Sequence, residues 1–197
     1  MGKECGVEAD GDKMWTCLCC ANPSYLTKFG RLMRLILEGS RDKAIPVETE
    51  VQLLNLYLEL EALRFTPPFT YHIEVDKSIE ADFDQLPPML LQPYLENAIW
   101  HGLATKEGEG HIKVHMVRKG EQLLCTIEDN GIGREAAQAL KSANKSKHRS
   151  MGMSITSERL QSLEHETGRK ATAEVADLLH EDGRAAGTRI TITIPLL

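Results

Sequence analysis

The sequence predicts an α+β protein, with helices layered on one face of a mainly antiparallel sheet and a short helical region in front. Three observations lead there. Apolar residues recur every three to four positions before Pro67-Pro68 and alternate with polar ones directly after it. Strand candidates come in pairs joined by short turns, Lys119-Gly120-Glu121 and Glu181-Asp182-Gly183. Helical stretches fall between the strand pairs without strict alternation, which disfavours an all-parallel sheet. The 197 residues suit one full domain plus a small helical piece.

Taken in order, residues 1–21 show no period and read as a disordered tail. Residues 24–38 predict an amphipathic helix with Leu26, Phe29, Leu32/Met33 and Ile36/Leu37 on one face, capped by Ser24 and stopped by Gly39. A second helix spans 49–65, with Thr49 and Gln52 as a capping box. It carries Val51, Leu53, Leu54, Leu56, Leu58, Leu60 and Leu63, apolar on more than one face, so it should pack on two partners. Phe69, Tyr71, Ile73 and Val75 mark a half-buried strand. Pro87-Pro88 opens a helix to about 101, kinked or tightened by Pro93. Strands follow at 111–118 and 122–128, helices at 134–142 and 153–166, and strands at 172–179 and 188–195. The expected division is a tail (1–21), a helical region with its linker helix (22–66) and a main domain (67–197).

A net charge of −6 argues against general nucleic-acid or anionic-membrane binding. No apolar run reaches the ~18–20 residues of a membrane span. The acidic N-terminus, with Glu4, Glu8, Asp10 and Asp12, is unlike a secretory signal, and Gly6 breaks the myristoylation pattern. The cysteines, Cys5, Cys17, Cys19, Cys20 and Cys125, are odd in number and lack zinc-knuckle spacing, which reads as reduced and cytoplasmic.

Four segments carry candidate chemistry. Glu96-Asn97-Ala98-Ile99-Trp100-His101-Gly102 places Asn97 and His101 four apart on a helix, and an Asn carboxamide oxygen suits Mg²⁺; a capped helix end is the plain alternative. Glu128-Asp129-Asn130-Gly131-Ile132-Gly133 follows a strand. There Asp129 could accept from an exocyclic amine while the glycines let backbone approach a flat ligand; a tight turn has the same composition. Gly152 stands at a helix start, where N–H groups face an anion, or else Ser150 or Ser154 merely caps that helix. Gly187-Thr188 leads into the last strand. Residues 134–151 hold Arg134, Lys141, Lys145, Lys147 and Arg149 against Glu135, a local +4 within a chain whose remainder is −10. This polar stretch is either a solvated linker or a lid whose cations meet a polyphosphate.

The order of these segments resembles the Bergerat-fold ATP-binding domain shared by gyrase, Hsp90, histidine kinases and MutL. Leu90-Leu91-Gln92-Pro93-Tyr94-Leu95-Glu96-Asn97-Ala98-Ile99-Trp100-His101-Gly102 is similar to the Asn box of sensor histidine kinases of the "internal region" class, as are Tyr25–Arg34 and Tyr57–Phe65. The resemblance covers about residues 24–197. It implies a two-layer α/β sandwich that binds ATP and Mg²⁺. Asn97 would be the metal ligand and Asp129 the acceptor for the adenine amino group. Gly131 and Gly133 would line base and ribose, and His101 would border the nucleotide. Gly152 would lie at the phosphate end with Lys145, Lys147 and Arg149, and Thr188 would support the water network of Asp129. Three departures stand out: Pro93 where an acid or a second Asn often stands, Trp100 where many relatives have Lys, and Ser150 where a glycine is usual.

The class also implies a phosphoacceptor His on a helix before 24–38, yet none of the seven histidines precedes His72. The expectation is therefore a two-component kinase's catalytic part that lacks the acceptor helix and does not autophosphorylate. Its implied partners are ATP and, in the full system, a response regulator and a second copy of the chain. No nucleic acid or membrane contact is expected of this segment, and the parent would be anchored in a bacterial inner membrane. Another ATPase or an anti-sigma-type Ser/Thr kinase of the same superfamily, or a non-enzymatic dimerisation module, are the alternatives. Pro93 in place of an acid speaks against a clamp ATPase.

Overall fold

The computed structural model describes residues 23–143 and 151–197. Helix α1 (Pro23–Gly39) leads through a short strand β1 (Ile45–Pro46) into helix α2 (Val47–Ala62). Strands β2 (Thr70–Val75) and β3 (Gln85–Leu86) precede helix α3 (Gln92–Asn97), which continues as a π-helical turn over Ala98–Leu103. Then come β4 (His111–Lys119), β5 (Gln122–Asp129), α4 (Arg134–Ala143), α5 (Met151–Thr167), β6 (Thr172–Leu179) and β7 (Ala185–Pro195). The main sheet has the order β2-β4-β5-β7-β6; β1 and β3 form a separate pair. Only β2 runs parallel to its neighbour, β4; the other three pairings are antiparallel.

Alternation explains the layers. Ile112, Val114 and Met116 of β4, Leu123, Cys125 and Ile127 of β5, and Ile190, Ile192 and Ile194 of β7 all point to one face. That face meets Tyr94 and Leu95 of α3, Ile99 and Leu103 of the π turn, and Leu160 and Leu163 of α5. Each buried Leu or Ile stabilises by about 1.5–3 kcal/mol. The opposite face, with Lys113, Glu128 and Arg189, carries polar side chains. The expected α+β sandwich is thus the observed one.

Helix α2 has two partners, as its apolar surface required. Val47, Leu54 and Leu58 enter the main core, while Leu53, Leu56 and Leu60 pack with Leu32 of α1. Helix α1 keeps an uncovered stripe: Leu26, Phe29, Met33 and Leu37 are 39–59% exposed.

Several local expectations need correction. The capping box at Thr49 and Gln52 is not used. Helix α2 starts earlier, behind Pro46, and its first N–H groups donate to the carbonyls of Asp84 (from Val47, 2.9 Å) and Ala81 (from Glu48, 2.9 Å). Gln52 instead bonds Glu48 at 3.3 Å. The helix expected from Pro87-Pro88 begins at Gln92, because Met89 adopts φ +53 and breaks helical continuity. Pro93 therefore sits in the first turn, where a missing N–H costs nothing, and does not kink the helix. The irregularity lies further on, where Ala104 N–H bonds the carbonyl of Ile99, five residues back, at 2.9 Å. Among the described residues no helix is long and apolar enough to cross a membrane. The tail with Cys5, Cys17, Cys19 and Cys20 lies outside the described residues, whereas Cys125 is buried in the core.

Candidate functional site

The site grows from the strand period of β5. Leu123, Cys125 and Ile127 face the core, and Asp129 comes next in that phase, so a carboxylate is carried inward and left 5% exposed. Burial pushes its pKa up to about 6, against the pull of backbone N–H groups of Gly131 and Thr188. The Gly131 N–H lies 2.8 Å from Oδ1. Thr188 is the cross-strand partner of Asp129 in the β5–β7 register. Among the described residues no ion pair neutralises this carboxylate. A buried acid held by main-chain donors is suited to accept from a ligand N–H.

Three glycines make the cradle. A Cβ on Gly102 would stand 2.7 Å from Asp129 Oδ1. A Cβ on Gly131 would stand 2.5 Å from the carbonyl carbon and the Cα of Gly102, and the Ile132 N–H donates to the Gly102 carbonyl at 3.1 Å. Gly187, at φ +130, presses on the Asp129 carbonyl, where any side chain would collide. The Asp-x-Gly-x-Gly turn is thereby locked onto the π turn that ends the Asn97 helix. Sequence reasoning quoted Gly102 and Gly187 within their motifs but gave neither a role. Only their contacts with Asp129 reveal one.

Asn97 ends α3 and is half-buried. Its Nδ2 donates to the Pro93 carbonyl at 2.7 Å, which orients the carboxamide and leaves Oδ1 for a ligand. His101 follows in the π turn, half-buried. The neighbouring face turns away to α2: Trp100 lies under the Arg64 guanidinium, 5.3 Å from its ring centroid, and beside Phe65 at 6.1 Å. Gly133 adopts φ +78, and Gly152 is the second residue of α5. Asn130, left unassigned by the sequence, ties the loop to β4 by accepting from the His111 N–H at 2.7 Å and donating to the Glu109 carbonyl at 3.2 Å.

Arg134, the first cation of the basic stretch, forms a two-bond pair with Asp177 of β6, at 2.9 and 2.6 Å, and holds that carboxyl below its usual range. Its fork is committed to a carboxylate across the α4–β6 contact. Lys145, Lys147 and Arg149 lie outside the described residues.

Known protein families match most of the chain. Residues 86–197 match the family described as "Histidine kinase-, DNA gyrase B-, and HSP90-like ATPase", and residues 21–69 match the family "Histidine kinase". The chain is 30% identical over 113 residues to the sensor protein LytS of Staphylococcus epidermidis, covering 57% of this chain and 19% of that one. It is 28% identical over 172 residues to LytS of Staphylococcus saprophyticus, covering 86% and 28%. The chain thus spans about a fifth to a quarter of the length of these relatives. Among solved structures, the histidine kinase domain of Erythrobacter litoralis EL346 superposes with a TM-score of 0.52 at 19% identity, covering 88% of this chain and 80% of that one. The mycobacterial sensor histidine kinase MprB gives 0.51 at 14%, covering 78% and 96%.

The fold is a two-layer α/β domain with a buried carboxylate at the end of a central strand and a carboxamide on the helix packed against the sheet. The chain belongs to the histidine kinase-, gyrase B- and Hsp90-like ATPase family, and carries the ATP-binding catalytic part of a sensor histidine kinase.

Proposed function

We propose that this chain binds Mg-ATP so that the γ-phosphoryl can pass to a histidine outside residues 1–197, and that by itself it does not autophosphorylate. The observation that carries this reading is Asp129, buried, without a cation among the described residues, and cradled by Gly102, Gly131 and Gly187. Its carboxylate accepts the adenine amino group, and Gly131 and Gly133 let backbone lie against base and ribose. Thr188 keeps Asp129 oriented from the adjacent strand, and His101 borders the nucleotide. Asn97 offers a neutral oxygen, which fits Mg²⁺. When bound, that ion supplies charge neutralisation on the phosphates. Gly152, at the start of α5, and the cations Lys145, Lys147 and Arg149 complete the phosphate end. Residues 22–66 form the linker and part of a helical dimerisation region, and 67–197 the catalytic domain. In the full system a response regulator receives the phosphoryl group, and the parent is anchored in a bacterial inner membrane.

Calorimetry with ATP tests this directly. Wild type should bind, and removing magnesium with EDTA should weaken binding. In Asn97→Ala the affinity should fall by about tenfold or more with magnesium present and change little without it. No binding of any adenine nucleotide would refute the reading. Radiolabel on a histidine of this chain would refute the missing-acceptor part.

The stripe Leu26, Phe29, Met33 and Leu37 on α1 points to self-association through a second copy. Light scattering should show dimers or larger species, and the double change Phe29→Glu, Met33→Glu should return the chain to monomer. A wild type monomeric at every concentration would count against it.

A further inference from the structure

Glu50 belongs to the first turn of α2, yet its side chain is 1% exposed. Its carboxylate is bound by main-chain N–H groups from a segment about forty residues on: Met89 at 2.9 Å to Oε2 and Leu91 at 3.2 Å to Oε1, with Leu90 contributing. The carbonyls of the same segment are gripped as well. Arg159 of α5 donates to the carbonyls of Pro88 at 2.7 Å and Met89 at 3.4 Å. A carboxylate takes the N–H groups and a guanidinium takes the C=O groups, so residues 88–91 are clamped between two helices. The clamp holds Met89 at φ +53, a backbone state that a side-chain-bearing residue keeps only when its surroundings enforce it.

The clamped segment leads straight to the metal-site residue. Leu91 is the N-cap of α3, and its carbonyl accepts from Tyr94 at 3.1 Å and Leu95 at 3.4 Å. The next turn supplies Pro93, whose carbonyl orients the Asn97 carboxamide. Arg159 is meanwhile seven residues along α5 from Gly152, on the helix that begins the phosphate end.

We propose that Glu50 and Arg159 are a positioning pair for Asn97: through residues 88–91 they make the linker helix α2 and the phosphate-end helix α5 jointly set where the metal-binding carboxamide stands. The proposal rests on the reading of Asn97 as the magnesium ligand. It gives α2, which joins the helical region to the domain, a direct physical hold on the metal end of the site, whereas Asp129 and Thr188 are carried by β5 and β7. Burial drives the Glu50 pKa up to about 7, and the opposing pull comes from the same N–H groups and Arg159. The carboxylate and its clamp therefore depend on one another.

The test is ADP affinity by calorimetry, with magnesium and with EDTA, for wild type, Glu50→Gln and Arg159→Gln. The readout is the ratio of the two affinities, which a loss of global stability alone does not move. In Glu50→Gln one carboxamide NH₂ meets donors, and in Arg159→Gln the carbonyl grip is lost. The magnesium gain should shrink by about tenfold in each, as for other residues that orient metal ligands, while affinity in EDTA stays within about twofold of wild type. Should Glu50→Gln not fold, Arg159→Gln carries the test. An undiminished ratio in the folded variants, with a lowered melting temperature, would show a purely structural pair and overturn the proposal. A wild type with no magnesium gain would instead overturn the Asn97 reading, and the proposal with it.

Discussion

Asp129→Asn is expected to weaken ADP binding by about 10- to 100-fold at pH 7.5. A hydrogen bond to a charged, buried acceptor contributes about 1.5–3 kcal/mol, and the substitution does more than remove charge. The wild-type carboxylate takes the Gly131 and Thr188 N–H groups and still has acceptor capacity for an adenine amine. A carboxamide in its place puts an NH₂ against one of those donors or against the amine itself. The pH dependence separates this from a general loss of fold. Asp129 titrates at about 6, and the adenine-bound state requires the ionised form. Below that pH the free protein must first give up a proton, so wild-type affinity should fall by up to about tenfold per unit. The ratio of wild-type to variant affinity cancels titration of the nucleotide, and should be steady above pH 7 and shrink toward pH 5. A ratio independent of pH would be inconsistent with Asp129 as the acceptor. Stability carries the matching signature. The folded pKa is raised above the ordinary 3.8, so the folded state holds the proton more tightly than the unfolded chain. Ionisation therefore costs nothing below about pH 4, costs progressively more between 4 and 6, and reaches its full penalty above 6. Urea titrations should show wild type losing stability relative to Asp129→Asn across that window and not beyond it.

Gly131→Ala is expected to destabilise the site strongly. Its Cβ would lie 2.5 Å from the carbonyl carbon and the Cα of Gly102, and these are backbone atoms within a packed π turn that cannot rotate aside. Overpacking of this kind costs about 1–3 kcal/mol, which for a chain of this size lowers the melting temperature by about 2–12 °C. Relief would come by parting the turn from the helix end, breaking the 3.1 Å bond from Ile132 N–H to the Gly102 carbonyl. Adenine binding should be lost along with stability. Gly30→Ala in α1 is the control: its Cβ would meet nothing within 4 Å, and alanine favours the helix. Scanning calorimetry showing equal stability for both variants would contradict the close approach of residues 102 and 131.

Much of the site was legible because it follows short-range rules. Asp129 was legible as a carboxylate leaving a strand into a glycine turn, and Asn97 as a helix residue; that β5 runs on to Asp129 in the buried phase of Leu123, Cys125 and Ile127 is what the structure adds. The turns expected at Gly120 and Gly183 are present, with positive φ at both glycines. Where the reading went astray, a distant partner intervened. Arg134 looked like one cation among several in a basic stretch, and Asp177, forty-three positions away, claimed it. Pro87-Pro88 looked like a helix start, but Glu50 and Arg159 hold the next residues in a different conformation.

The sequence by itself determined the alternating strands, the two-sided apolar helix α2, the turn chemistry and the order of motifs that marks the family. Those features depend on periodicity and on residues within a few positions of one another. Only the tertiary structure decided that Glu50 is an interior carboxylate, that Gly102, Gly131 and Gly187 converge on Asp129, and that the Arg159 guanidinium grips the chain leading to Asn97. A buried polar group is stable only if its partners are satisfied. Those partners come from segments that meet only once the sheet and its helices have assembled, so no local pattern announces them.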